Sequence, residues 1–225
     1  MDLTGGRSAN LSPGLVRALD QFRAVVDAQS DALEASDARF VCPIPCSGCC
    51  TPNLFFITGL DFLGVCHHVH RSLSEEVRAD IVLRARALVA ECGLEEALRL
   101  DGAGGDGEPN IVQRCPLLDA SERCLAYVAR PTPCRFFGRS RFQAGEANLC
   151  TIIAGRLGSE LAHTALPVVE QYSRALADAL ARNLTAEEME AVEPFIAVST
   201  LPILISETAF DPTLILEVCG RTDFA

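Results

Sequence analysis

Cys42-Pro43-Ile44-Pro45-Cys46-Ser47-Gly48-Cys49-Cys50 sets four thiols within nine residues. Two prolines and a glycine keep that backbone out of helix. Four more thiols follow at Cys115, Cys124, Cys134 and Cys150. Thiolates are soft, anionic ligands, and eight of them drawn from two distant segments are what a soft-metal site needs. Such a site locks the two halves of the chain together, which constrains the fold more than any other feature of the sequence.

Within the first segment, Cys46 and Cys49 have a two-residue gap, the spacing that lets a tight turn aim two sulfurs at one centre. Gly48 suits the backbone conformation such a turn demands, and Cys42 is near enough to reach the same centre. Cys50 is different. Adjacent side chains of an extended backbone point to opposite faces, so Cys49 and Cys50 are expected to face different centres. Two centres, or one with a reserve thiol, both fit. Cys66, Cys92 and Cys219 stand singly in apolar or helical surroundings and read as small buried hydrophobes.

Composition narrows the class. The 225 residues are 49% hydrophobic, enough for a packed core. The net charge of −11 argues against nucleic-acid phosphates and anionic membrane surfaces as partners. All 19 basic residues are Arg. Met1 to Arg7 lacks the apolar run of a signal peptide. Ile196–Ile205, the most apolar stretch, falls short of the about 18 residues of a membrane span. The expectation is a cytoplasmic protein, in whose reducing surroundings cysteines serve as metal ligands or reactive thiols rather than disulfides. The odd total of eleven fits that reading better than a paired framework.

Helical signals flank the cysteines. Ser12-Pro13 pairs an N-cap with a first-turn proline, and Leu15, Leu19, Phe22, Val26 and Leu33 recur at helical spacing to about Ala35. A helix is expected from Thr58 to His70. Ser72 with Glu75 reads as the cap of another, running through Val77, Ile81 and Leu88 toward Leu100. Asp101–Pro109 reads as a solvated link, without the strand and helix a phosphate loop requires. Residues 110–150 look irregular. Leu166, Val169, Tyr172, Leu176 and Leu180 trace one helical face, and Thr185 with Glu188 caps a further helix. The expected organisation is an N-terminal helix (1–40), a cysteine-cluster domain (41–155) and a C-terminal helical extension (156–225). The fold class is mainly α, with helices clamping irregular, Cys-rich metal-binding segments.

Other polar groups read more simply. His67 and His70 share a helix face without converging partners. Arg135, Arg139 and Arg141, near Cys134, are placed to neutralise the charge of a bound cluster. Glu187, Glu188, Glu190 and Glu193 read as an exposed face. No nucleophile elbow, Walker sequence or convincing Ser/His/Asp set is present.

The eight-cysteine order resembles the YkgJ-type family, described as zinc- or iron-chelating domains with a CxxCxxCC-like motif. Cys42, Cys46, Cys49, Cys50 and Gly48 correspond to its opening cluster, Cys115-Pro116-Leu117 to its next element, and Cys124 with Tyr127 to its Cys ahead of an aromatic. Arg130-Pro131-Thr132-Pro133-Cys134-Arg135-Phe136-Phe137 corresponds to its Arg-Pro-x-x-Cys-Arg-x-Phe element, with Cys150 as the last ligand. Gly138 stands where members often have Pro. The resemblance covers about residues 42–150. A related motif accompanies an iron–sulfur cluster in flagellin lysine-N-methylase, so the resemblance implies an iron–sulfur protein, with a [4Fe–4S] cluster, working with a protein or redox partner. Zinc is the alternative metal or a second centre, and a cluster-dependent protein N-methylase is a further alternative, although no methyl-donor loop is recognisable. The Cys-Pro steps and Ile44, Leu54, Phe55, Phe136 and Phe137 predict a dry shell around the sulfurs, which favours iron–sulfur over zinc.

Overall fold

A computed structural model describes residues 11–43, 46–48, 50–51, 55–93, 114–145, 147–148, 150–196 and 198–220. The fold is mainly α. Helix α1 (Pro13–Ser36) starts where Ser12 Oγ accepts a hydrogen bond from Leu15 N at 3.2 Å, with Pro13 pre-set for the first turn. Leu15, Ala18, Leu19, Phe22 and Val26 are buried along one stripe, as their spacing predicts.

Strand β1 (Phe56–Thr58) runs directly into α2 (Gly59–Ser72), capped by Thr58 Oγ1 accepting from Asp61 N at 3.0 Å. Helix α3 (Glu75–Cys92) follows after a break at Leu73 and Ser74. The sequence places its cap at Ser72, but Ser72 closes α2 and Ser74 caps α3. Gly93, in the left-handed region at φ 57°, ends α3 at Cys92. The remainder of the expected helix, up to Leu100, and the link at 101–109 lie outside the described residues.

Residues 114–150 are chiefly turns, as their prolines suggest. They contain the short helix α4 (Thr132–Phe136) and a two-residue ladder of β2 (Ser140–Arg141) with β3 (Ala147–Asn148). Then come α5 (Thr151–Leu157), α6 (Val169–Asn183) and α7 (Ala186–Val192). Thr185 and Glu188 form the expected reciprocal capping box of α7. Strand β4 (Val198–Thr200), α8 (Leu201–Thr208) and α9 (Ile215–Gly220) complete the chain's described part.

Strands β1 and β4 pair antiparallel, with Ile57 opposite Ser199, so two strands far apart in the sequence launch α2 and α8 from opposite ends of one ladder. Helix α8 is buried all round, with Leu201, Ile203, Leu204 and Ile205 in the core, which explains its apolar sequence. Among the described residues, no helix is long and apolar enough to cross a membrane.

The principal core joins α1, α2, α3, α6 and α8, with α1 against α6 and α3 against α8. Phe62 stacks on Phe210 with ring centroids 6.0 Å apart at its centre. Burying each such side chain contributes roughly 1.5–3 kcal/mol. This core draws on residues from all three sequence segments. A smaller cluster of Phe40, Cys150, Ile153, Leu157 and Leu166 lies apart from it, while Cys115 and Cys124 pack against the principal core.

Candidate metal centre

The cysteine-bearing segments meet through backbone bonds. The turn after Cys46 closes with Cys50 N donating to Ser47 O at 2.8 Å, and Thr51 Oγ1 donates to the same carbonyl at 3.1 Å. Cys115 N donates to Cys50 O at 2.7 Å, joining the two halves of the motif across the sequence. Cys115 and Cys124 then flank a tight loop, in which Cys124 bridges Leu118 and Leu125 N donates to Leu117 O at 2.8 Å. Asp119 braces the loop, accepting from Ser121 N and Arg123 N at 2.7 and 2.9 Å. Glu122 adopts a positive φ of 61°, strained for a residue with a side chain. Its carboxyl is held below the usual range by a hydrogen bond with Ser47 and by the Arg114 guanidinium, so the loop tip reaches the Cys46 turn.

Cys134 lies in α4, which is fixed from two sides. Thr132 N and Oγ1 donate to Asp61 Oδ1 of α2 at 3.0 and 2.7 Å. Burial pushes the Asp61 carboxyl above its ordinary range, and the Thr132 donors pull it back. From the other side, Arg135 Nη1 donates to both carboxylate oxygens of Asp27 of α1, at 2.8 and 2.7 Å. Arg135 also donates to the carbonyls of Arg130 and Val128, so it is spent on holding α4 rather than on sulfur.

The sulfurs of Cys42, Cys46 and Cys150 accept N–H donors. Arg139 Nη2 donates to Cys42 Sγ at 3.1 Å while pairing with Glu34 of α1. Gly48 N approaches Cys46 Sγ at 3.5 Å, and Ile153 N approaches Cys150 Sγ at 3.5 Å, where Cys150 caps α5. Gly48 does not use a left-handed backbone. It makes a close contact instead, since a Cβ there would fall 2.9 Å from Ile152 Cδ1 of α5. Close packing therefore brings the Cys46 turn onto the helix that follows Cys150. Gly138 has φ 88°, and a Cβ there would lie 3.5 Å from Cys150 Sγ. Proline, locked near −65°, cannot adopt that angle, so the departure at Gly138 is a change of backbone path.

Cys42 is exposed, Cys150 is buried, and Cys46, Cys50, Cys115, Cys124 and Cys134 are half-buried. Cys49, Ile44 and Leu54 lie outside the described residues. Among the described residues, no group of three or more His, Cys, Asp or Glu side chains is gathered to hold a metal ion. The donor chemistry and the meeting of the segments fit a soft-metal site, while a closed ligand cage is not formed by the described side chains. Of the expected apolar shell, Phe55 and Phe137 meet edge to face at 5.1 Å beside the smaller cluster, whereas Phe136 stacks on Tyr172 at 5.0 Å in the main core.

The remaining candidates are engaged elsewhere. Cys66 is fully buried in α2, and burial pushes its thiol well above the ordinary range. Cys92 packs on the core edge, and Cys219 falls in α9. His68 Nε2 lies 3.3 Å from Leu125 O, and His70 Nε2 lies 3.0 Å from Phe210 O. Arg141 donates to Thr164 O at 2.9 Å, leaving Arg139 as the arginine of the three that touches a cysteine. Asp27, Glu34, Asp61 and Glu122, which position this region, carry no local sequence signal, because each acts on a segment far along the chain. Comparison of the chain with protein-family models, curated proteins and solved structures finds no match.

Proposed function

We propose that this protein binds an iron–sulfur cluster, of the [4Fe–4S] type, through thiolates drawn from Cys42, Cys46, Cys49, Cys50, Cys115, Cys124, Cys134 and Cys150, and exchanges electrons with a protein partner. The observation that carries the reading is the set of N–H donors on cysteine sulfurs, above all Arg139 on Cys42 Sγ at 3.1 Å. Such donors favour the anionic sulfur a metal requires and tune a cluster's potential. The likeness of the cysteine order to YkgJ-type domains supports the same reading.

When bound, the cluster would supply one-electron chemistry. The chain's own contribution is positional. The Cys50–Cys115 backbone bond ties the two motif halves, Asp61 and Asp27 fix the helix bearing Cys134, and Glu34 holds Arg139 in place for Cys42. The exposure of Cys42 favours a second reading, a structural zinc centre, since zinc tolerates solvent where a cluster degrades.

Anaerobic purification with iron, zinc and acid-labile sulfide analysis separates the two. The expected protein is brown, contains sulfide and bleaches with dithionite. A colourless protein with stoichiometric zinc and no sulfide, from iron-replete cells, overturns the cluster and leaves the zinc centre.

A further inference from the structure

A cavity of about 350 Å³ opens between α1 and α2, bordered by the segment just after Cys124 at Val128 and Ala129. Arg23 forms its floor. The Arg23 side chain is 17% exposed, yet its one hydrogen bond among the described residues is from Nη1 to Asp20 Oδ1 at a long 3.5 Å. A guanidinium presents five donors, and taking it out of water without acceptors is unfavourable. Burial and the nearby positive charge of Arg135 act against its charged form, and Asp20 and Asp61 offset them only in part.

Space for Arg23 is made by Gly64 in α2. A Cβ at that position would fall 2.1 Å from Arg23 Nη2. Glycine weakens a helix interior relative to alanine, so this position trades helix stability for room at the guanidinium. One and two turns further along α2, His67, His68 and Arg71 line the same cavity. Arg71 is exposed and makes no ion pair among the described residues. The cavity lining thus carries two guanidinium groups and one carboxylate, Asp20, while the buried Asp61 also attracts Arg23. Leu11, Val16 and Leu19 supply an apolar wall.

We infer that this cavity binds a small organic carboxylate, its anionic head on Arg23 and Arg71 and its apolar body against Leu11, Val16 and Leu19. A volume of this size suits a small-molecule site, and Arg71 lines it with no carboxylate partner among the described residues, free to take a ligand's carboxylate. No cysteine lines this cavity, and the proposal stands whichever metal the cysteines hold.

The test is a titration of the full chain with hexanoate, read on the ring protons of its four histidines. Saturable shifts are expected at His67 and His68, with His163 unmoved. Hexanol should bind at least about tenfold more weakly, since it lacks the charge Arg23 recognises. Arg23→Met and Gly64→Ala should each weaken hexanoate by a similar factor. Gly64→Ala keeps every charge and favours helix, so it serves even if Arg23→Met fails to fold. Absent saturation, equal affinity for hexanol, or an unchanged affinity in Gly64→Ala overturns the proposal. Inorganic phosphate saturating the same histidines at lower concentration than hexanoate overturns the carboxylate assignment.

Discussion

Two residues show how burial fixes chemistry at single positions. Tyr172 lies in the core against Phe136, and burial pushes its phenol up to about 12. An unfolded tyrosine ionises near about 10. The folded state therefore retains a proton that the unfolded state has already released, and the stability this confers is complete below about pH 10 and lost as pH rises toward 12. With two tyrosines and no tryptophan, phenolate absorbance near 295 nm reports the event cleanly. A late step near 12 should vanish in Tyr172→Phe, and persistence of that step in the variant would refute the assignment. Cysteines divide by the same logic. Cys66 is a buried core side chain, so Cys66→Ala should cost about 1 kcal/mol yet leave bound metal per folded chain unchanged. Cys92→Ala and Cys219→Ala should also leave bound metal per folded chain unchanged. Cys46→Ser, Cys49→Ser and Cys134→Ser should strip the metal. Equal metal loss in the two groups would remove the basis for the ligand set.

At the scale of elements, the sequence was most legible where structure is local. Ser12-Pro13 and the Thr185–Glu188 box mark real helix starts because a cap bonds its own first turn. Ser72 and Ser74 show the limit of that signal: two candidate caps two residues apart look alike, and the tertiary seating of α2 and α3 selects between them. The β1–β4 pair was illegible, since three-residue strands have no period of their own and their partners lie more than a hundred residues apart in the sequence. The ties on α4 were equally hidden. Arg135 was visible beside Cys134, but its partner Asp27 lies on α1. Arg135 is 3% exposed in its side chain and Asp27 is 44% exposed, so the pair is half-desolvated. Asp27→Asn should leave the buried guanidinium short of charge compensation and destabilise the fold by about 2 kcal/mol, below the full penalty for breaking a buried pair. Urea unfolding measures it, and Arg135→Met in a double-mutant cycle should show strong coupling with Asp27→Asn. Additivity of the two changes would mean that the pair does not hold α4 to α1.

Across the whole molecule, the hydrophobic core and the cysteine segments carry different shares of the stability. The principal core is made by α1, α2, α3, α6 and α8, and it includes Cys115 and Cys124 only as half-buried neighbours at its edge. The smaller cluster contains Cys150 and leans on Phe137 and Ile152, next to the Cys46 turn. Around it the backbone is mainly turns, joined by single bonds such as Cys115 N to Cys50 O and strained at Glu122. Turn-rich segments of this kind have few regular backbone hydrogen bonds and open at low cost, although Leu117 and Leu118 anchor one of them in the interior. A metal shared by thiolates from several of these segments would supply much of their order, because its binding free energy becomes folding free energy for the parts it links. Removing the metal by chelation under reducing conditions should therefore abolish amide-exchange protection at residues 46–51 and 114–125, while α2, α3 and α8 keep protection close to that of the loaded protein. Melting should split accordingly, with the helical core surviving as a cooperative unit at a lower midpoint. If protection instead falls uniformly through α2, α3 and α8, the metal supports the core itself. If neither region changes, the turns are ordered by their hydrogen bonds alone, and the cysteines are not bound to a metal that matters for the fold.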